Sequence, residues 1–207
     1  MKRFAACALL AALPALCADR VVPIALYYQF QQKPPDAVLE TIHDELRGIL
    51  SPIGLNPEWR SLGENQGNEI SAQLAIIHFK GRCDTADLRP FSVNPGPLGW
   101  THISEGVILP FADIDCDGIR GFVQRDLLTW PQPEREEAYA RAVARVLAHE
   151  LYHIFANTRH HAGYGIAKAA YSVQELLARS FEFDKRDCDA LRTYRVRLEL
   201  QASMTGD

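Results

Sequence analysis

His149-Glu150-Leu151-Tyr152-His153 lies inside residues 134–155, a run without Gly or Pro that begins just after Pro131 and Pro133. Proline suits the first turn of a helix, so this stretch predicts a helix over 134–155. Val143, Val146, Leu147, Leu151, Ile154 and Phe155 cover most of its circumference, and Arg141 and Arg145 mark a narrow polar strip. A helix this apolar belongs in the centre of a fold. His149 and His153, four residues apart, lie on one face about one turn apart. Both imidazoles can reach a single metal ion, and Glu150 can approach a metal-bound water as general base.

Two buried imidazoles and a buried carboxylate are costly without a metal or tight partners. A catalytic zinc keeps three protein ligands and one open position. There a water becomes nucleophilic near neutral pH and a carbonyl is polarised. The expected cofactor is therefore Zn2+, with Glu150 catalytic and His149 and His153 as ligands. The third ligand should follow the helix, and the candidates are His160, His161 and Glu175. Asn157 reads as the helix end, because Asn tolerates the left-handed conformation that turns a chain away. Glu175 has a local role already: Ser172-Val173-Gln174-Glu175 reads as a capping box opening a helix over 173–183.

The motif resembles that of the metzincin group of zinc peptidases, H-E-x-x-H-x-x-G-x-x-H. Asn157 stands one place later than the family's Gly, and His160 one place later than its third His, so the interval between them is kept. The resemblance implies His149, His153 and His160 as metal ligands, with His161 the alternate. Glu175 as ligand would instead resemble the zincins that use a Glu on a following helix. The sequence departs from metzincins in lacking the Gly and any Met suited to a turn below the metal, since the single Met beyond Met1 is Met204. The broader zincin likeness does not depend on either.

The element order fits that resemblance. A strand is predicted over 21–30 and a helix over 34–49, with Val38, Leu39, Ile42, Leu46 and Leu50 at helical spacing. A weak strand follows over 57–62, a turn over 63–68 and a strong strand over 70–79. A Pro- and Gly-rich loop spans 90–99, then come short strands over 99–104 and 106–110. Residues 117–122 read equally as strand or loop. Helices are expected over 173–183 and 185–200. The fold class implied is α+β: a twisted mixed sheet backed by two helices, the second carrying the metal site, plus a small helical C-terminal subdomain. The resemblance places residues 98–103 as an edge strand above the cleft, where a peptide adds by main-chain pairing, with Trp100 and His102 lining it. Some zincins stabilise an oxyanion with a Tyr phenol, for which Tyr164 and Tyr171 are the candidates.

Met1-Lys2-Arg3 is a basic start, residues 4–16 are apolar but too short to span a bilayer, and Cys17 and Ala18 are suitable for cleavage. Residues 1–18 thus read as a signal peptide for export to a secreted or periplasmic location. Leu16 before Cys17 speaks against lipid attachment. Residues 19–207 form one catalytic domain, with an N-terminal subdomain over 19–156 and a C-terminal one over 157–207. Of 207 residues, 189 then remain, and loss of Lys2 and Arg3 leaves 20 basic against 26 acidic residues, a net charge of −6. This mild acidity argues against a nucleic-acid partner, and no later segment is apolar enough for a membrane span. Cys83, Cys116 and Cys188 remain in an oxidising compartment, and a Cys83–Cys116 bridge is expected, with Cys188 free.

Asp113, Asp115 and Asp117 followed by Gly118 resemble the first half of a calcium loop, but Gln124 stands where a Glu would complete it. The segment reads as a solvated acidic turn. The functional expectation is a secreted zinc-dependent endopeptidase acting on protein or peptide substrates. The alternatives are a catalytically silent zincin-fold binding module and a zinc hydrolase of a non-peptide amide, such as a cell-wall linkage. The intact Glu150 argues against the silent module.

Overall fold

The computed structural model describes residues 22–64, 73–92 and 96–193. Five strands form one mixed sheet: β1 (Val22–Gln32), β2 (Leu55–Ser61), β3 (Leu74–Arg82), β4 (Gly99–Ser104) and β5 (Val107–Asp115), in the order β2-β1-β3-β5-β4. The first four strands of that order run parallel, and β4 runs antiparallel to β5 at the edge. Glu105 and Gly106, both at positive φ (51° and 84°), form the two-residue turn that folds β4 back on β5. Turns of this handedness match the twist of paired strands, so this Glu-Gly pair places β4 on the outside.

Helix α1 (Asp36–Leu50) carries Val38, Ile42 and Leu46 on one face, as their spacing predicts. With Val143, Leu147 and Leu151 of α3 (Gln132–Phe155), they form one core against Ile24, Leu26, Ile77, Phe79 and Ile114 of the sheet. The expected mixed sheet and the two helices are therefore present, and α3 starts at Pro131 as its sequence requires. From Ala138 to Phe155, every residue except Arg141 is buried. Arg145 does not belong to a polar strip. It is fully buried, its Nε donates to Glu45 at 2.8 Å, and its Nη1 donates to the carbonyls of Glu175 and Leu176.

Two helices differ from their prediction. Residues 116–127 form a helix, α2 (Cys116–Leu127), where strand or loop was expected. Asp115 caps it by accepting from the Gly118 N–H at 2.9 Å, and Cys116, Ile119, Val123 and Leu127 bury a helical stripe. The acidic segment is consequently neither a calcium loop nor a solvated turn. Asp113 is buried in β5 facing Lys80 and His102, Asp115 is the cap, and Asp117 pairs with Arg120. Helix α4 (Val173–Leu177) opens on the predicted Ser172–Glu175 capping box but stops well before residue 183. Its last carbonyls are taken by Arg145, and the chain turns extended at Ala178. A further helix covers 185–193. Cys83 and Cys116 are disulfide-bonded and Cys188 is free. Residues 1–18, most of the 63–68 turn, the end of the 185–200 helix and Met204 lie outside the described residues. Among the described residues, no helix is long and apolar enough to cross a membrane.

Candidate metal centre

Helix α3 presents His149, Glu150 and His153 to a cavity of about 460 Å³ between β4 and the chain at 169–171. His149 Nδ1 lies 2.8 Å from the carbonyl of Ile166, and His153 Nδ1 lies 2.7 Å from that of Thr158. A carbonyl only accepts, so each Nδ1 carries the proton and each Nε2 is a bare acceptor. The two Nε2 atoms face each other at 3.0 Å, and both residues are buried. Two bare acceptors at that distance repel unless a cation lies between them. Protonation does not supply one easily, because burial pushes His149 down to about 4 and lowers His153 as well. Ligands of one tetrahedral zinc sit about 3.3 Å apart, given Zn–N bonds of ~2.0–2.1 Å. The donor set therefore fits such an ion.

The third imidazole is that of His161. Ligand atoms of His149, His153 and His161 all lie within 4.8 Å of one another, and among the described residues this is the group able to hold a metal. His160, the first candidate from sequence, lies on the other side of its loop, lining a second cavity with Tyr152 and Asp184. The helix ends near the predicted place. Asn157 sits at φ 47°, its N–H reaches the Ile154 carbonyl, and the Thr158 N–H reaches that of His153. That pattern closes a helix through a left-handed residue. Beyond it the His160 N–H donates to the Thr158 hydroxyl, and Ala162 pairs with Lys168. The His161 ring stacks on that of His149 at 5.2 Å, while His160 lines the second cavity.

Glu175 takes no part in the cluster. It accepts from Lys168 Nζ at 2.6 Å and from the Ser172 N–H at 2.8 Å, and these bonds hold it down at about 2. Tyr164 is exposed and lines the second cavity. Tyr171 is in the site, but behind His149: its hydroxyl donates to the Ile166 carbonyl and lies 2.9 Å from His149 Nδ1. In this position it fixes the tautomer and plane of His149 from within the cavity lining. Burial keeps the phenol neutral, raised well above its ordinary value. Tyr171→Phe should weaken zinc binding about 10-fold, at the low end of the ~10–100-fold cost of losing a partner behind a metal ligand. Titration of the metal-free protein with zinc checks this.

Glu150 is buried beside the cluster, and burial pushes its carboxyl up to about 7 against the pull of Thr101, whose hydroxyl lies 2.8 Å from Oε2. β4 borders the cavity as expected of an edge strand. Gly99, Trp100, Thr101 and Ile103 line it and His102 does not. Side chains alternate along a strand, which sends His102 to the opposite face, where Nε2 meets Asp113 at 2.8 Å. Burial raises the Asp113 carboxyl, but the bonds from His102 and Lys80 outweigh it and hold the group low. Trp100 borders the cavity, yet its ring lies under Lys80 Nζ at 4.4 Å. Sequence reading missed Thr101, a single hydroxyl in a short strand, whose role shows only once β4 lies over α3.

No protein-family model matches this chain, and no curated protein matches it. Among solved structures, the chain is similar to archaemetzincin from Methanopyrus kandleri, with a TM-score of 0.47 and 14% identity over 88% of this chain and 99% of that one.

Proposed function

We propose that this protein is a secreted zinc-dependent endopeptidase of zincin type. The observation that carries the proposal is the pair of bare Nε2 atoms of His149 and His153 at 3.0 Å, with the His161 imidazole beside them and Glu150 next in the helix. His149, His153 and His161 would hold the ion. Bound Zn2+ supplies Lewis acidity, making a water nucleophilic near neutral pH and polarising the scissile carbonyl. The chain's own groups do the rest. The Ile166 and Thr158 carbonyls fix the two helix imidazoles, leaving Nε2 of each free to coordinate. Glu150 takes the proton of the attacking water on its carboxylate and passes it to the nitrogen of the leaving amine. Its upward-shifted carboxyl suits both halves of that transfer.

A peptide is the proposed substrate because β4 is the last strand of the sheet and, among the described residues, nothing pairs with its outer edge. Its backbone groups are available to an added strand along the cavity. The apolar wall formed by Leu98, Ile103, Ile108, Phe122 and Val146 suits apolar side chains. Export through residues 1–18 is part of the proposal, and the Cys83–Cys116 disulfide supports an oxidising compartment.

The test is proteolysis of a denatured protein mixture by protein from the native host, with its N-terminus sequenced. Cleavage should stop with chelator and return with zinc, and the sequence should start at Ala18 or Asp19. Cleavage that persists without metal would remove the zinc mechanism, and an N-terminus at Met1 would remove the export.

A further inference from the structure

The carboxylate of Glu150 is gripped by the edge strand as well as carried by α3. Thr101 Oγ1 lies 2.8 Å from Glu150 Oε2 and 3.2 Å from the Glu150 carbonyl oxygen. That carbonyl already serves the helix ladder, and the carboxylate oxygen is nearer and more charged, so the single hydroxyl proton goes to Oε2. Two residues earlier on the same face of β4, Gly99 passes equally close. A Cβ there would lie 3.1 Å from Glu150 Oε1, 3.1 Å from its Cγ and 3.0 Å from Val146 Cγ1. Gly99 is not among the positive-φ residues, so its backbone tolerates any side chain. Space alone calls for glycine here. The two contacts divide the carboxylate: Oε2 is occupied by a donor, and Oε1 is left open by a missing side chain.

We propose that Thr101 and Gly99 are positioning residues that select Oε1 of Glu150 as the oxygen that receives and releases the proton. With Oε2 accepting from Thr101, a proton on the carboxyl sits on Oε1 in the neutral form, and in the ionised form Oε1 keeps both lone pairs free. The atoms balance: the O–H bond of the attacking water breaks as an O–H bond forms at Oε1, and that bond in turn breaks as an N–H bond forms on the leaving amine. Both residues belong to the strand offered to a peptide. The scissile bond and the base are then registered to one element, and a shift of β4 moves both together. This inference rests on the hydrolase reading above, which supplies the base with a reaction.

The experiment compares Thr101→Val, Thr101→Ser and Gly99→Ala with the wild-type, zinc-loaded protein, measuring kcat, KM for a peptide, zinc affinity and the unfolding midpoint. Valine keeps the branched shape and removes the donor. It should lower kcat about 10- to 100-fold, the effect of one charge-assisted hydrogen bond on the reacting group. KM and zinc affinity should stay near their wild-type values. Serine should restore most of kcat, and Gly99→Ala should act as valine does. Unchanged kcat in Thr101→Val, or failure of serine to restore it, would overturn the assignment.

A second arm does not depend on turnover. Unfolding midpoints of Thr101→Val, Glu150→Ala and the double variant should be non-additive, because both single changes break the same bond. Additive midpoints would overturn the pairing. A coupled cycle in a wild-type protein that cleaves nothing would support the pairing and count against the hydrolase reading alone.

Discussion

Replacing Glu150 with Gln should leave fold and zinc uptake intact and reduce hydrolysis about 10²–10⁴-fold, the range associated with a positioned general base. The amide fills the same volume beside Val146 and Gly99 and still accepts the Thr101 hydroxyl, so the packing has no reason to change. What it cannot do is take a proton from water or return one to an amine. Glu150 is buried at 5% exposure, and among the described residues no second carboxylate lines the same cavity to stand in for it. Turnover number, zinc content and circular dichroism of the variant give the answer together. Turnover near the wild-type value in a folded, zinc-loaded Glu150→Gln would remove the carboxylate from the mechanism.

The second large effect concerns the third ligand. His161→Ala should weaken zinc binding by more than the ~10–100-fold that a lost supporting partner costs, because it takes a donor from the ion itself. His160→Ala should bind zinc almost as the wild type does, since that side chain faces the cavity behind the loop. Glu175→Ala should also spare zinc and lower thermal stability instead, through loss of the Ser172 cap and the Lys168 pair. Competition titrations against a chromophoric chelator rank the three. A spared His161→Ala beside a crippled His160→Ala would reverse the assignment and require the loop after Asn157 to sit one residue out of its observed register.

That register shows where sequence reading stops. The motif helix was legible because every signal agreed: the prolines at its start, the absence of breakers, the apolar circumference and Asn157 at its end. The position of Asn157 could be read from its tolerance for positive φ. The path beyond it could not. Which of two adjacent imidazoles returns to α3 depends on the bond from the Thr158 N–H to His153 and on the Ala162–Lys168 bridge, both set by tertiary pairing. Of Trp100 and His102, Trp100 borders the cavity as expected and His102 does not. His102 is held on the opposite face of β4 by Asp113, a partner from the neighbouring strand, while the Trp100 ring packs under Lys80 Nζ.

Helix α2 was missed although its stripe of Cys116, Ile119, Val123 and Leu127 is written in the sequence. Gly118 and Gly121 lower helix propensity, and the three aspartates suggested a loop. Only the structure shows that Asp115 is a cap and that Gly118 leaves room for it, a Cβ there falling 2.6 Å from Asp115 Oδ2. Helix α4 was overextended for the opposite reason. Its local signals continue past Leu177, but Arg145, from 30 residues earlier in the chain, claims the carbonyls that would have carried it on. Arg145 read as part of a narrow polar strip because arginine is rarely buried without a partner, and its partner Glu45 lies on α1, 100 residues away.

X-ray absorption at the zinc edge, on protein purified with its metal and quantified for metal content, tests the central claim most directly. One zinc per chain, bound by three imidazole nitrogens at about 2.0–2.1 Å with one further light ligand, is the expected result. A protein that carries no zinc and takes up none, or a spectrum with fewer than three imidazoles in the first shell, would contradict it.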